Sequence, residues 1–353
     1  MRIPFTLLLL IYGLTPLAGD KLPGREVKKI YFSGRAQGTT YHITYYDADT
    51  LVSQKQIDSM LDILDNSLSI YNPNSLISRF NRALFSVRLD NHLLTVVRRS
   101  LEIYKDSKGV SDISIYPLMK IWGFGPDPGP GNPDAQTIRS ARRCVGSDKI
   151  RLRGNRLIKD LPCVKIDVNG IAQGYSVDVI ADFFGKRGIK NYLVEIGGEL
   201  RIHGRKQPGD ETMTVGIESP ATNVLSPESI QQVISIKEGA LTTSGNYRNF
   251  HKQNGKTFSH LMDPKTGYPF QNELISVTVW AAKAVNADGY DNVLMGLGLK
   301  KALHFLMSRP QMQAYFIYRD KNGRIADTAS SGFYKFFVPQ GGQINTGTSA
   351  GKN

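Results

Sequence analysis

Cysteine is scarce. Only Cys144 and Cys163 occur in 353 residues, with no CxxC pair and no Cys/His spacing that would build a zinc site. Also missing are a GxxxxGK[ST] loop, a GxGxxG after a strand, an HExxH and a GxSxG. Those absences remove the simplest nucleotide-hydrolase, dehydrogenase, metalloprotease and esterase readings. Charge is unbalanced but unclustered. Lys and Arg number 44 against 31 Asp and Glu, a net charge of +13, with no block of five or six like charges. That balance permits an anionic ligand without demanding nucleic acid, and nothing resembles a zinc finger or an RNA-recognition strand. No repeat recurs at solenoid spacing. Leu, Ile, Val and Phe are plentiful enough to exclude a wholly disordered chain.

The first residues, MRIPFTLLLLIYGLTPLAGD, follow the plan of a secretory signal peptide. Arg2 gives a positive start, Phe5 to Leu14 an apolar stretch too short to span a bilayer comfortably, and Ala18 and Gly19 the small residues. We expect residues 1–19 to be a leader, 20–338 one folded unit and 339–353 a disordered polar tail. The expected location is therefore exported and periplasmic, with association with the inner membrane left open. Asp20 stands where a lipoprotein box would carry Cys, so lipid attachment is not supported. The two cysteines flank IRLRGNRLIKDLP, whose Gly154-Asn155 dipeptide signals a two-residue hairpin turn. An exported compartment would let them pair; two buried thiols is the other reading.

Alternation in 27–46 predicts a hairpin, with Tyr41, Ile43 and Tyr45 on one face. Ser53 with Gln56 forms a capping box for a helix whose stripe is Ile57, Met60, Leu61, Leu64 and Leu68. A second helix is predicted from about Asp90, with Leu94, Val97, Leu101 and Tyr104 on one side. A glycine-punctuated turn then leads to a helix near 175–187. The later strand runs include TMTVGIE, QVISIKEGALTTSG and LISVTVWA, and a helix follows near Asn286. Strands joined by short turns imply antiparallel pairing, hence an α+β fold rather than a doubly wound one.

Three segments carry candidate chemistry. In SHLMDPKTGYPF (259–270), His260 can exchange a proton near neutral pH, and Pro264, Gly267 and Pro269 stiffen a turn holding Asp263 and Thr266. An ordinary turn bearing a surface histidine fits equally well. In DVNGIAQGYSVD (167–178), glycines at a helix start permit close approach of backbone to an anion; a packed turn is the bland alternative. In ADGYDNVLMGLG (287–298), Asp288, Asp291 and Asn292 fall at i, i+3 and i+4 and share a helix face. Two carboxylates and an amide oxygen suit Mg²⁺, though a polar helix start explains them as simply.

The order of these pieces is more telling than any one of them. AQGTTYHI, LSIYNPNSLISRFN, DISIYPLMKIWGFG, DVNGIAQGYSVD, YLVEIGGEL, TSGNYRNF, HLMDPKTGYP and ADGYDNVLMGLG together resemble the ApbE family, the FAD:protein FMN transferases. That resemblance implies a T-shaped, T-fold-related α+β architecture with a mostly antiparallel sheet and packed helices. It implies FAD as substrate, Mg²⁺ as cofactor, and transfer of the FMN half to a threonine hydroxyl of a partner protein with release of AMP. The partner would be an exported or membrane-bound redox subunit.

Carried over by position, Tyr71 is similar to the aromatic that stacks on the ring system. Val110, Ser111 and Asp112, together with Asp167 and Gln173, resemble FAD-contacting positions, and Met262 a backbone contact. Gly170 matches a carbonyl ligand to Mg²⁺, with Asp288 and Asn292 as side-chain ligands and Asp291 either an added carboxylate or a residue facing water. His260 is the candidate base. Three departures stand out: Gln37 where Met is common, neutral Gln173 in the GIAxG run, and Asn292 for the usual Thr. The competing readings are a periplasmic FAD pyrophosphatase giving FMN and AMP, and a non-catalytic FAD-binding protein.

Overall fold

A computed structural model describes residues 26–220, 230–246, 250–253 and 256–338. The expected leader (1–19) and tail (339–353) lie outside the described residues. The chain opens with β1 (Lys28–Ala36) and β2 (Thr39–Asp47), then α1 (Gln54–Leu68), α2 (Leu76–Arg82), β3 (Ser86–Arg88) and α3 (Asn91–Asp106). Next come α4 (Tyr116–Ile121), α5 (Ala135–Arg142), β4 (Ile150–Arg153), β5 (Arg156–Lys159) and α6 (Asn169–Lys186). Strands β6 (Tyr192–Ile196), β7 (Glu199–His203), β8 (Met213–Glu218), β9 (Ile230–Ile236) and β10 (Glu238–Gly245) follow. The remainder is β11 (Phe250–Gln253), β12 (Lys256–Ser259), β13 (Leu274–Ala281), α7 (Ala284–Leu297), α8 (Leu299–Met307), β14 (Met312–Arg319) and β15 (Ile325–Ala329).

The centre is an eight-stranded antiparallel sheet in the order β1-β2-β6-β7-β10-β13-β14-β15. Alternate residues of its inner strands enter different cores. Val277 and Val279 of β13, with Ala314 and Phe316 of β14, join the core that α7 completes. Tyr315 and Ile317 join a second core, with Ile234 and Ile236 of β9 and the C-terminal Phe333 and Phe336. Burial on both faces is why LISVTVWA reads as a nearly continuous apolar run.

The predicted hairpin forms. Gln37 (φ 53°) and Gly38 (φ 75°) occupy its turn, the two left-handed positions of a type I′ connection. The capping box of α1 also forms, the Ser53 amide donating to Gln56 Oε1 at 2.9 Å. In α3 the buried face is Leu93, Val96, Val97, Ser100 and Ile103, offset from the predicted stripe. Leu94 and Leu101 pack at its margin, because α3 meets α1, α6 and α7 and its apolar arc is wide. The predicted turn before 175 is instead the first turns of α6, kinked at Gly170 (φ −79°, ψ 21°). The QVISIKEGALTTSG run divides at Lys237: β9 pairs with β8 in a separate ribbon and β10 enters the main sheet. Cys144 and Cys163 form a disulfide with Cα atoms 5.4 Å apart, bracketing the β4–β5 hairpin. Among the described residues no helix is long and apolar enough to cross a membrane.

Candidate active site

A cleft of about 1200 Å³ opens between the β1–β2 turn, the loop after α1, the segment before α4, the start of α6, the end of β10 and α7. Every predicted FAD-contacting, metal-binding and base residue lines it, whereas Asp263 and Thr266 do not. Tyr71, Val110, Ser111 and Asp112 come from one side, Asp167, Gly170, Gln173 and Gln37 from another. His260, Met262, Asp288, Asp291 and Asn292 complete the wall.

The floor is made where α6 crosses α7. A Cβ on Gly174 would lie 2.5 Å from the Ala284 carbonyl and 2.6 Å from Asp288 Cβ, so glycine is what allows the two helices to approach. In an unbroken helix the Gly174 N–H would be directed at the Gly170 carbonyl. Here it donates to Asp288 Oδ2 at 2.8 Å, and the Gly170 carbonyl accepts from Asn292 Nδ2 at 3.2 Å. The kink thus turns a helical donor and a helical acceptor toward α7. Asp178 fixes α7 in place: its carboxylate accepts from the Ala284 and Val285 amides at 3.0 and 2.9 Å and pairs with Arg201 at 2.6 Å.

Asp288 and Asp291 are 4% and 2% exposed. Burial pushes the Asp288 carboxyl up to about 7, only partly offset by the Gly174 bond, with the Asp178 charge adding to the rise. Asp291 is raised well above its ordinary value by burial, then by the Asp288 charge. Among the described residues no basic side chain counters either shift. Asp291 Oδ2 accepts from Thr242 Oγ1 at 2.9 Å, but Oδ1 is buried without a hydrogen-bond partner. A buried pair of carboxylates with an unsatisfied oxygen is costly unless a cation completes it.

The all-oxygen donor set fits a hard divalent ion. Among the described residues no cluster of three His, Cys, Asp or Glu forms a site by itself, so main-chain and amide oxygens would have to contribute. Asn292 Oδ1 accepts from Ser244 Oγ at 3.0 Å, leaving Nδ2 toward Gly170. A half-turn of the amide would present the oxygen instead, and the Ser244 hydroxyl can accept as readily as donate.

At the rim, the 263–269 turn is held by its own hydrogen bonds. Asp263 Oδ1 accepts from the Lys265 amide at 2.9 Å, its carbonyl accepts from Gly267 N–H at 2.8 Å, and its amide donates to the Tyr268 carbonyl at 2.8 Å. Trp122 Nε1 donates to the Gly267 carbonyl at 2.8 Å. Gly267 has φ 81°, and a Cβ there would meet Ile138 at 2.6 Å. This scaffold presents His260, whose ring lies edge-on to Phe124 with centroids 6.5 Å apart. The Met262 side chain is buried with Trp122 and Leu118, which leaves its backbone to face the cleft.

Other predicted residues divide by role. Tyr71 is 61% exposed, an open aromatic face at the mouth. Asp167 keeps partial exposure, yet the protein packed around it pushes its carboxyl up to about 6. Asp112 Oδ1 accepts from Ser114 N–H, Ser114 Oγ and Ser147 Oγ at 2.8, 2.6 and 2.5 Å. Its Oδ2 accepts from the Ser147 amide at 3.1 Å, so that carboxylate ties the wall together. Gln37 Nε2 donates to Ser176 Oγ at 2.7 Å, and that hydroxyl spends its own proton on the Ala172 carbonyl at 2.8 Å. The amide orientation is therefore fixed, and Gln37 Oε1 is left buried and unsatisfied beside the cleft.

Thr242, Ser244, Glu199 and Asp178 were not singled out from the sequence. The first three lie in the YLVEIGGEL and TSGNYRNF regions or beside them, where strand alternation alone would have marked which residues face α7.

A family model described as the ApbE family matches residues 37–316. The FAD:protein FMN transferase of Vibrio cholerae is 34% identical over 336 residues, spanning 93% of this chain and 98% of its own. That of Escherichia coli K12 is 32% identical over 315 residues, 86% and 88% of the two chains. The solved flavin transferase ApbE from Vibrio cholerae superposes with a TM-score of 0.79 at 31% identity, covering 88% of this chain and 100% of its own. The Pseudomonas stutzeri flavinyl transferase ApbE, in its apo form, gives 0.78 at 32% identity over 88% and 98%. With the motifs in order, the sheet and cleft in place and these relatives spanning nearly the whole chain, the chain belongs to the ApbE family.

Proposed function

We propose that this chain is a FAD:protein FMN transferase that uses Mg²⁺ and a threonine acceptor. One observation carries the metal assignment: two buried carboxylates, Asp288 and Asp291, face the cleft with no basic partner among the described residues, one oxygen unsatisfied. Asp288, Asp291, the Gly170 carbonyl and the turned Asn292 amide would hold the ion. Its chemistry is neutralisation of pyrophosphate charge.

The protein's own groups do the rest. Tyr71 offers its face to a planar ring. Gln37 Oε1 accepts from a ligand N–H. His260 takes the proton as the threonine oxygen bonds to the FMN phosphorus. The bond from that phosphorus to the bridging oxygen breaks, and AMP leaves with the oxygen. Phosphoryl transfer of this kind depends on positioning and charge more than on covalent chemistry. The leader-like first residues and the disulfide support a periplasmic site of action on an exported or membrane-held redox subunit.

The test is mass spectrometry of the protein incubated with FAD, Mg²⁺ and a threonine-bearing acceptor domain from a flavinylated redox subunit. The expected product is an acceptor heavier by one FMN, with AMP in equal amount. Free FMN with an unmodified acceptor would overturn the transfer reading in favour of hydrolysis, and intact bound FAD would overturn both. His260→Ala is expected to keep FAD binding and lose about 10²–10⁴-fold in transfer; loss of FAD binding would make it a ligand contact instead.

A further inference from the structure

The small sheet β3-β5-β4 buries one face and exposes the other. Leu157 and Ile150 pack into the core, with Val87 and Leu152 against them. On the outer face the register sets Arg88 opposite Arg156, and Arg156 opposite Arg153. The next row is Ser86, Ile158 and Arg151. All four arginines are exposed. Arg151 pairs with Asp160 at 2.6 Å. Among the described residues, Arg88, Arg153 and Arg156 meet no carboxylate at ion-pair distance; Arg156 Nη1 donates to Ser86 Oγ at 3.2 Å.

Like charges directly opposed across strands destabilise a sheet. A row of three therefore costs the free protein, and a dense external anion would relieve that cost. A second feature lies at the opposite end of the sheet from this row, beyond Ser86, Ile158 and Arg151. Leu84 and Phe85 are 66% and 57% exposed, and Leu161 is 41% exposed. The Phe85 carbonyl accepts from Lys159 N–H at 2.8 Å, which places these apolar side chains at one end of the same sheet. None of these residues lines the cleft.

We propose that this face docks on a bilayer surface rich in anionic phospholipid. Guanidinium groups match lipid phosphates in geometry as well as charge, and Leu84, Phe85 and Leu161 reach the headgroup–acyl boundary. A basic row at one end of the sheet and exposed aliphatic and aromatic side chains at the other fit that two-layered surface better than an acidic protein, which would satisfy only the arginines. From Leu161 the chain runs on to Asp167 at the cleft wall, so docking here would hold the cleft close to the membrane. The proposal does not depend on the flavin chemistry.

The test is co-sedimentation of the full chain with vesicles of phosphatidylglycerol and phosphatidylcholine, compared with phosphatidylcholine alone. The reading is the ratio of the two partitions. The expected result is strong preference for the anionic vesicles, weakened by salt. The triple variant Arg88→Gln, Arg153→Gln, Arg156→Gln should lower that ratio at least about tenfold. Leu84→Ser with Phe85→Ser should lower it less. A control of equal charge loss elsewhere, Lys300→Gln, Lys301→Gln, Arg324→Gln, should leave it unchanged. Equal partition to both vesicles, or equal loss in the control, would overturn the proposal. So would arginine-dependent capture by a soluble acidic acceptor with no preference for anionic vesicles. Melting curves of the variants check that folding is intact.

Discussion

The floor of the cleft and the turn at its rim treat their polar atoms in opposite ways. In 263–269 the Asp263 amide, carbonyl and one carboxylate oxygen are spent on the turn itself. On α7 the carboxyls of Asp288 and Asp291 are forced upward by burial, and Asp291 Oδ1 has no partner. The segment that looks most unusual as sequence, dense in Pro, Gly and Asp, is a satisfied scaffold. The segment that looks like an ordinary polar helix start is the frustrated one. Frustration of this kind persists where a ligand or ion completes the site.

The contrast can be broken by mutation. Asp288→Ala should cost at least about 10³-fold in Mg²⁺-dependent transfer while the unloaded protein melts no lower, because a burdensome carboxyl has gone. Undiminished transfer would remove α7 from the chemistry. The second test is pH. Asp288 sits at about 7 in the folded protein against an ordinary 3.8. A carboxyl raised on folding adds its full stability below the lower value and loses it as pH rises through the higher one. Without divalent ion, chemical denaturation should thus show stability falling by a few kcal/mol between about pH 4 and 8, and Mg²⁺ should flatten the fall. A profile insensitive to Mg²⁺ would count against an ion between these carboxylates.

The rim predicts the reverse. Gly267→Ala should lower unfolding stability by about 2–4 kcal/mol, from left-handed strain and the clash with Ile138. Smallest of all, Asp263→Asn should stay within about 0.5 kcal/mol and keep transfer, since an amide oxygen can accept from Lys265 as well. Loss of transfer in that variant would move Asp263 from scaffold to chemistry and sharpen the line elsewhere.

Much of the site was legible in the sequence. The i, i+3, i+4 spacing of Asp288, Asp291 and Asn292 put them on one helix face, and the glycine signals marked the hairpin turns. The motif order then gathered residues from Gln37 to Asn292 into one cleft. What stayed hidden depends on distant partners. The Gly170 kink lies inside a run with good helical residues, and its reason is the Gly174 bond to Asp288 on another helix. Thr242 and Ser244 matter only because β10 lies against α7. The arginine row needs the register of three strands before it exists at all.

The order of strands in the main sheet also sets a schedule. β2 finds its second neighbour only in β6, with Tyr45 paired to Tyr192. At elongation rates of about 5–20 residues per second, roughly 7–30 s pass between making β2 and making β6. During that interval the N-terminal hairpin offers a bare hydrogen-bonding edge to any other chain. The slow step in reaching this fold is accordingly a search across sequence distance, and the newborn hairpin is where a chaperone has the most to protect.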